Sequence, residues 1–526
     1  MAFYLIFNGL VLMMENTKGE DLKILFNSII SYLRIFCTTV FSLLTVRYLI
    51  GALGVEQYGI YALVTGVVTI LAFLNSAMTV ATQRFLSFNQ GVGDIENLSN
   101  IFKSSLFLHL SIGIVLMLVL FTLMHPLINN FLNIDSRYIY STYYLYSGVV
   151  FSIFFTILSV PFNALLISHE NFRVDALILI LKSILMLGFS VSLHLVDEDY
   201  RLIAFSYVIS GISLIVLLCY IGYCRKKYSE CNIKSRIDRV MLKEMTSFAL
   251  WSLYTNLCYV LNTQGINVVI NKFFGAKMNA AYGIAFQING QVKNLSQTLL
   301  SAMNPQIMKS EGRSNRDRAI GVSVAASKIG FFLVSLVTIP CLYILPNLVE
   351  LWLGVLPDFV VLFTIFFLFS NLVNQLTVGV TPAIQAVGKI KKFQMVIGTT
   401  ALVVLPISYV LLEFNFPITY VLSLLVLIEV VTGIMKIWFF SEILSIKKTW
   451  YFKNIVAKMV FPFVITNALL YLNVRYFMIQ GEVILVSALS FLIYIPISYL
   501  LSLNKNEKEE VKSMFMIIIK KIIKRK

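Results

Sequence analysis

Charged residues are scarce in this chain. Of its 526 residues only 13% are Asp, Glu, Lys or Arg, whereas 58% are hydrophobic, and the mean hydropathy is +0.84. No soluble domain buries so large an apolar fraction in a core, so the composition excludes a soluble globular protein and indicates a chain whose solvent is lipid. The apolar runs are continuous and lack the alternating pattern of membrane strands, which excludes an outer-membrane barrel.

Reactive and metal-binding residues are also few. The six cysteines form no CxxC pair and lie mostly inside apolar runs, where cysteine is usually a packing residue. The four histidines are isolated, and His109 and His194 lie in or beside apolar runs without a second ligand at metal-binding spacing. These absences predict a protein with no disulfide, no metal site and no cofactor.

Long apolar runs are what the chain has in abundance. Runs of about 20 apolar residues, the length of a helix that crosses the ~30 Å hydrocarbon core, occur about fourteen times. We therefore predict an all-α polytopic membrane protein with about 14 transmembrane helices. The predicted spans are 25–49, 61–81, 104–124, 143–167, 174–195, 202–223, 248–270, 281–303, 325–345, 359–380, 395–412, 418–440, 455–472 and 483–503.

The two halves of the chain resemble each other. The motif Tyr-Gly-Ile at 58–60 returns at 282–284, and Leu-Asn-Ser-Ala-Met at 74–78 is echoed by Leu-Leu-Ser-Ala-Met at 299–303. Further counterparts follow in the same order: Pro126 and Pro346, Pro161 and Pro382, Phe172 and Phe393. A repeat in a polytopic membrane protein is typical of transporters, in which two similar bundles rock about a central site.

The duplication predicts two parallel six-helix repeats followed by two extra helices. The predicted segments are an N-terminal segment at 1–24, an N-lobe at 25–223, a basic linker at 224–246, a C-lobe at 247–441, two extra helices at 442–503 and a basic amphipathic tail at 504–526.

The distribution of charge predicts the orientation of these segments. The net charge is +16, and most Lys and Arg lie in alternate connections, including the linker, whereas the opposite connections hold acids such as Asp197 and Asp199. By the positive-inside rule both termini and the linker are cytoplasmic. We expect a multi-pass protein of the bacterial cytoplasmic membrane, and the basic excess needs no nucleic-acid partner.

The two ends of the chain carry weaker signals. The first thirteen residues are apolar but have neither a basic n-region nor a small-residue cleavage site, which argues against a signal peptide. Translation from Met13 or Met14 is the alternative interpretation. In the tail, basic residues alternate with apolar ones, as in an interfacial helix against anionic lipid, although an ordinary stop-transfer tail fits equally.

Several ionisable and amide side chains lie inside the predicted spans. A charged side chain costs about 2.5 to 3.5 kcal/mol at mid-bilayer, so it usually faces a cavity. Arg34 belongs to a polar face of the first span, and Asn289, Lys293 and Gln297 recur at intervals of four in the eighth. The predicted substrate-binding residues are Arg34, Arg84, Lys182, Asn262, Gln264, Asn289, Lys293 and Gln297.

Other interpretations of some charged positions stay open. Arg84 lies near a span end and Lys182 in the first third of its helix, where snorkelling to the interface would also explain them. Glu429 and Lys436 lie two turns apart in the twelfth span. They are candidates for ion coupling, although a structural intramembrane pair is the favoured interpretation.

The mixture of cations and amides predicts the chemistry of the ligand. The first, second, seventh and eighth spans hold no carboxylate. Amides donate and accept hydrogen bonds with sugar hydroxyls, and cations offset the cost of taking phosphate charge out of water. The pattern therefore favours an anionic polar ligand such as a sugar phosphate or pyrophosphate, whereas an exporter of organic cations would be expected to hold acids there.

Two motifs resemble a known family. They are Arg-Tyr-Leu-Ile-Gly at 47–51, followed by Gly54 and Tyr-Gly-Ile-Tyr at 58–61, and Glu-Leu-Trp-Leu-Gly at 350–354 with Pro357. The chain resembles the polysaccharide transporters of the MOP superfamily, which includes O-antigen flippases. The resemblance also extends to the number of spans, the duplication and the position of the linker.

This resemblance implies a fold and an activity. The implied fold has two six-helix lobes around a V-shaped central cavity, plus two C-terminal helices. The implied activity is flipping of undecaprenyl-pyrophosphate-linked oligosaccharide from the cytoplasmic to the outer leaflet. Cationic residues of the first, second and eighth helices are implied to meet the pyrophosphate, which assigns that role to Arg34, Arg84 and Lys293.

The expected function is therefore transport by alternating access of a lipid-linked repeat unit of O-antigen, lipopolysaccharide or another surface polysaccharide. Expected partners are the lipid-linked oligosaccharide, membrane lipids, and the polymerase or glycosyltransferases of the same pathway. A MATE-type multidrug exporter and a lipid II flippase are the alternatives. A membrane glycosyltransferase or polymerase is a remote one, because such enzymes typically need a sizeable catalytic loop and the predicted spans are closely spaced; we expect no enzyme.

Overall fold

The structure is a computed structural model that is helical almost throughout. It describes residues 20–70, 73–132, 134–231, 238–477, 483–505 and 507–509. Five of the six predicted segments fall partly outside the described residues: the N-terminal segment at 1–24 with both alternative start sites, the N-lobe at 25–223, the linker at 224–246, the two extra helices at 442–503, and the tail at 504–526. Across the described ranges there are helices and turns but no strand, as the apolar runs predict.

The chain divides into two compact units. Unit 1 comprises Met1–Leu257, Ser301–Ala319 and Gly388–Met395, and unit 2 comprises Cys258–Leu300, Ile320–Val387 and Val396–Lys526. Unit 1 therefore extends past the predicted lobe boundary at 247 and includes two short segments of the second repeat. The lobe boundaries drawn from sequence remain a prediction.

The described residues of the first repeat form six α-helices. Polar side chains define two of their starts, because Asp94 Oδ1 accepts from the backbone N–H of Asn97 and Asn171 Oδ1 accepts from that of Val174, as N-cap residues do. The helices are α1 (Glu20–Ile70), α2 (Phe73–Val92), α3 (Ile95–Pro126), α4 (Ile139–Ser168), α5 (Phe172–Ser192) and α6 (Glu198–Lys227).

The remaining helices follow the linker. Asp238 starts the first of them by accepting hydrogen bonds from the backbone N–H groups of Val240 and Met241. The helices are α7 (Arg239–Gly312), α8 (Arg316–Leu353), α9 (Val360–Gln375), α10 (Val380–Val387), α11 (Lys391–Glu413), α12 (Ile418–Leu444), α13 (Lys448–Tyr451), α14 (Ala457–Phe477) and α15 (Val483–Leu501).

The repeat seen in the sequence is also present in the backbone. Two long helices are each broken at one glycine, α1 at Gly54 (φ 74°, ψ 170°) and α7 at Gly275 (φ 75°, ψ −172°). Positive φ at these positions favours glycine, which has no Cβ to clash. Each break precedes the shared Tyr-Gly-Ile motif by a few residues. The counterparts Phe172 and Phe393 are also both buried, at 3% and 1% exposed.

The predicted spans are helical in the structure. Within the described part of the chain, ten helices are long and apolar enough to cross a membrane, and the bent pair α9 and α10, at 43°, would make eleven. The predicted second, seventh and eighth spans lie in α1, α2 and α7, which are helical but less apolar. The count of fourteen is therefore approximate, and the all-helical, multi-pass architecture is confirmed.

Aromatic packing explains part of the repeated motif. In unit 2, the buried Tyr282 ring makes edge contacts with Phe363 and Phe367, at centroid distances of 5.7 and 5.2 Å. In unit 1, Tyr58 packs on Tyr61 of the same helix at 5.8 Å, and Tyr61 makes an edge contact with Phe205 of α6 at 5.2 Å. The motif thus anchors a helix against its neighbours in each repeat, while many leucines and isoleucines remain exposed, as expected of side chains that face lipid.

Two glycines bring helix ends into backbone contact within unit 1. A Cβ added to Gly91 of α2 would overlap the carbonyl oxygen of Lys309, and one added to Gly312 of α7 would overlap that of Phe88. Small residues allow such close approach between membrane helices. Glu170 stabilises this crossing of α2 and α7. Its carboxylate accepts hydrogen bonds from Lys309 Nζ and Gln306 Nε2, each at 2.6 Å.

We predict that alanine at Gly91 or Gly312 destabilises the protein, because the two backbones must move apart. Overpacking of this kind costs about 1–3 kcal/mol. Thermal unfolding of the purified variants measures the effect. Gly211→Ala is the matched control, since no atom lies within 4 Å of its added Cβ; this variant should be as stable as the parent or slightly more so. Equal unfolding midpoints for all three variants would contradict the crossing.

Candidate functional site

A single carboxylate joins four helices of unit 1. Asp175 of α5, 1% exposed, accepts a hydrogen bond on Oδ2 from Arg34 Nη1 at 2.5 Å. Its Oδ1 accepts from Asn163 Nδ2 at 2.5 Å and from the Tyr220 hydroxyl at 2.7 Å. Arg34 lies on α1, Asn163 on α4 and Tyr220 on α6. Every oxygen of the buried carboxylate therefore has a donor, as a buried charge requires.

This network changes the expected role of Arg34. The Arg34 side chain is 20% exposed and is already paired with the Asp175 carboxylate. Its positive charge is therefore partly neutralised before any ligand binds. The first, second, seventh and eighth spans hold no acid, but a neighbouring span can supply one. Asp175, on the fifth span, is such an acid. An acid one residue inside the apolar run at 174–195 was a signal for it in the sequence.

Lys182 lines a cavity beside the same network. The cavity, about 220 Å³ in volume, lies inside unit 1. Asn163 and Tyr220, which bond Asp175, also line it, so the structure brings Lys182 and Arg34 to one region. Hydroxyl groups form much of the remaining wall, from Thr156, Ser159 and Ser213. The hydroxyls of Thr156 and Ser159 donate to backbone carbonyls, which leaves oxygen lone pairs for a ligand or water.

Arg84 occupies a different environment in unit 1. It is 9% exposed, and its guanidinium carbon lies 4.6 Å from the Phe85 ring centroid, 4.7 Å from that of Phe88 and 5.9 Å from that of Phe248. A Cβ on Gly388 would lie 2.7 Å from its Nη2. The aromatic rings stabilise the cation by cation–π attraction, so burial among rings describes this side chain better than snorkelling.

A second polar network lies where α4 and α6 end. Gln90 Nε2 donates to His169 Nδ1 at 2.7 Å, and His169 Nε2 donates to Glu230 Oε1 at 2.9 Å, while the His169 ring stacks on Tyr228 at 4.2 Å. Burial raises the pKa of the Glu230 carboxyl, but the hydrogen bond from His169 and a backbone hydrogen bond outweigh it and hold that pKa below its ordinary value. Neither His169 nor Glu230 stands out in the sequence, because their positions are 61 residues apart.

In unit 2 the predicted polar stripe lies on α7 after the break at Gly275. The helix is continuous through the stripe, so the interval of four places its members on one side. Lys293 and Gln297 are exposed, together with Gln291 and Asn294. Four exposed polar side chains on less than three turns make a surface that hydrocarbon cannot solvate at low cost.

Three predicted amides of unit 2 have different degrees of exposure. Gln264 is exposed, whereas Asn262 is buried and Asn289 is half-buried. The Oδ1 atoms of Asn262 and Asn289 are buried and accept no hydrogen bond from any described residue. A buried acceptor without a donor is costly, so a water or ligand hydroxyl is the natural partner of each.

The two ion-coupling candidates also lie in unit 2. Glu429 Oε2 accepts a hydrogen bond from Asn374 Nδ2 at 3.1 Å, a partner that sequence reasoning missed. Lys436 is 6% exposed and lies close enough to Glu429 and Lys293 for their charges to interact. The structure thus brings Glu429, Lys436 and Lys293 into one electrostatic neighbourhood. Their role in ion coupling remains a prediction.

The chain shares its fold with several solved structures. The chain is similar to a crystal structure of a MATE mutant, with 16% identity and a TM-score of 0.71 over 80% of this chain and 96% of that one. It is similar to an outward-facing multidrug resistance MATE family transporter of the MOP superfamily at 16% identity, with a TM-score of 0.70 over 80% and 95%. It is also similar to a MOP superfamily transporter from Pyrococcus furiosus, which is described as having a binding pocket of reversed polarity. The identity is 15% and the TM-score is 0.70, over 80% of this chain and 95% of that one.

These likenesses establish the MATE fold for a multi-pass membrane protein. The family follows from the sequence, because a family of polysaccharide biosynthesis proteins matches residues 52–356, more than half of the chain. The chain belongs to this family. No curated protein matches the chain.

Proposed function

We propose that the protein is a flippase that moves a polyprenyl-pyrophosphate-linked oligosaccharide from the cytoplasmic to the outer leaflet of the bacterial cytoplasmic membrane. Membership in a polysaccharide biosynthesis family supports the pathway, and the MATE fold supports transport in place of catalysis. Translocation proceeds by alternating access, with the polyprenyl tail remaining in lipid. Both termini are cytoplasmic, as the positive-inside rule predicts.

The observation that carries the proposal is the exposed stripe on α7. Lys293 supplies a charge for an anionic group, and the neighbouring amides of Asn294 and Gln297 supply donors and acceptors for sugar hydroxyls. Lys436 lies nearby, and Glu429 partly offsets its positive charge. A pyrophosphate attached to an oligosaccharide needs both kinds of group at once.

Unit 1 supplies a second set of polar groups. Lys182 and the hydroxyl wall of its cavity fit a polar ligand, and Arg34 and Arg84 are cationic. Arg34 is held by Asp175, so we assign it a smaller share of ligand charge than Lys293. The pathway's glycosyltransferases and polymerase supply and consume the translocated lipid and are the proposed partners.

A MATE-type drug exporter is the second candidate, and the fold favours it, since one structural neighbour is described as a multidrug resistance transporter. The cation on α7 argues against it, because a cationic drug would be repelled by Lys293 and Lys436. A lipid II flippase would also bind a pyrophosphate-linked sugar. Complementation distinguishes a lipid II flippase from a polysaccharide flippase.

Complementation in cells tests the proposal. A strain that lacks its own polysaccharide flippase should regain surface polysaccharide when it expresses this chain, and its resistance to cationic drugs should stay unchanged. Rescue of a strain that lacks its lipid II flippase would instead assign peptidoglycan precursor as substrate. Raised drug resistance without restored polysaccharide would refute the proposal.

A further inference from the structure

A groove runs along the first four turns of α7, in unit 1 and far along the chain from the polar stripe. Its volume is about 490 Å³, within the range of ligand pockets. Its lining residues recur every three or four positions, so they share one face of the helix. They include Arg239, Lys243, Thr246, Ser247, Trp251 and Tyr254.

The chemistry of the groove changes along the helix. The first two turns present the cations Arg239 and Lys243, both exposed, and the third presents the hydroxyls of Thr246 and Ser247. The fourth turn presents the Trp251 and Tyr254 rings together with the apolar Leu250. This order matches a ligand that has a polar, anionic head at one end and an apolar chain at the other.

The surrounding charges favour an anion. Lys391 Nζ lies 5.3 Å from the Trp251 ring centroid, which places a third cation beside the aromatic end of the groove. Of the nearby acids, Asp238 is engaged in capping α7, and Glu244 interacts with Arg84. Arg239, Lys243 and Lys391 counted against Asp238 and Glu244 give the groove and its surroundings a net charge of +1.

We propose that this groove binds the phosphate head group of an anionic membrane phospholipid. The phosphate lies between Arg239 and Lys243, and the upper part of an acyl chain lies along Leu250, Trp251 and Tyr254. Basic pockets beside membrane helices bind such head groups, and Trp and Tyr are enriched at the lipid interface. The described lining contains no Asn or Gln, in contrast to the α7 stripe, so it lacks the amides that a sugar chain would need. The site does not depend on the proposed substrate.

Tryptophan quenching tests the site in the full-length protein. The chain has four tryptophans, so Trp352→Phe, Trp438→Phe and Trp450→Phe together leave Trp251 as the only emitter. The protein is reconstituted in phosphatidylcholine vesicles that contain phosphatidylglycerol with brominated chains. Quenching of Trp251 should indicate local enrichment of at least about fivefold over the mole fraction of the brominated lipid. Arg239→Gln with Lys243→Gln should reduce the quenching to that expected from the mole fraction.

A variant that keeps only Trp438 is the matched control. Trp438 also lies beside a lysine, with Lys448 Nζ at 5.7 Å, but it does not line the groove. It should show no enrichment. If the multiple variants fail to fold, native mass spectrometry of the unaltered chain and of the Arg239→Gln and Lys243→Gln single variants should count retained phosphatidylglycerol and give the same ranking.

Three outcomes would overturn the proposal. The first is quenching that follows the mole fraction in the parent, and the second is enrichment that survives loss of both cations. The third is displacement of the brominated lipid, either by millimolar inorganic phosphate, which would make the groove a phosphate site, or by stoichiometric polyprenyl diphosphate, which would make it a site for the transported lipid. Persistence of quenching against both competitors supports the phospholipid.

Discussion

Replacing Asp175 by asparagine is expected to lower the stability of the protein by about 3–5 kcal/mol, because the change leaves the Arg34 guanidinium partly buried without its counter-charge. The amide also places an NH2 donor against other donors: in one orientation Arg34 loses its acceptor, and in the other Asn163 and Tyr220 lose theirs, since both donate to the same carboxylate oxygen. Thermal unfolding of the purified protein and its abundance in the membrane measure the loss.

A double variant separates stability from ligand binding. Arg34→Met with Asp175→Leu removes both charges, and replacement of a buried ion pair by apolar residues is often neutral. We expect abundance close to the parent's and reduced transport, since Arg34 still contributes charge to the ligand. Asp135→Asn is the control for the single change, because the Asp135–Arg137 pair is exposed and such pairs contribute about 0–1 kcal/mol. An Asp175→Asn variant as stable as this control would contradict the four-helix network.

Replacing Lys293 by glutamine should reduce transport of the lipid-linked oligosaccharide by about tenfold or more without reducing protein abundance. Hydrogen bonds to charged groups are worth about 1.5–3 kcal/mol, and 1.4 kcal/mol corresponds to a factor of ten. The side chain is exposed, so its loss leaves no cavity in the core. Surface polysaccharide, normalised to protein in the membrane, is the measured quantity.

Lys277→Gln is the matched control for this change. Lys277 lies on the same helix and is also exposed, but it is paired with Asp358 at 2.8 Å. Its loss should leave transport within the error of the assay. The assignment of Lys293 to the ligand would fail if both variants transported equally well. A second variant combines Arg34→Ala with Lys293→Ala. If it kept surface polysaccharide at the parent's level, the proposed role of both cations in ligand binding would be refuted.

Sequence predicted the fold well because its signals are local. Each apolar run specifies a helix from its own residues, and the repeated Tyr-Gly-Ile motif lies beside a broken helix in both halves. The position of the breaks was not predicted. Gly54 belonged to a recognised motif and Gly275 to none, and a single glycine does not reveal its φ before the structure is known.

The candidate site was predicted less completely because its partners are distant in sequence. Lys293, Gln297 and Asn289 share a helix, so an interval of four was enough to group them. Asp175 pairs with Arg34 across 141 residues, and only packing of α1 against α5 brings them together. Arg84 similarly depends on Phe248 and Gly388, which no spacing rule connects to it.

Translocation in vesicles is the measurement that tests the central claim most directly. The purified protein is reconstituted with a fluorescent polyprenyl-pyrophosphate-linked oligosaccharide in both leaflets, and an external sugar-cleaving enzyme removes the label it can reach. Without the protein only the label of the outer leaflet should be cleaved. With it cleavage should approach completion, and the Lys293→Gln variant should remain close to protein-free vesicles. Equal cleavage with and without the parent protein, in vesicles where it is folded and incorporated, would contradict a flippase.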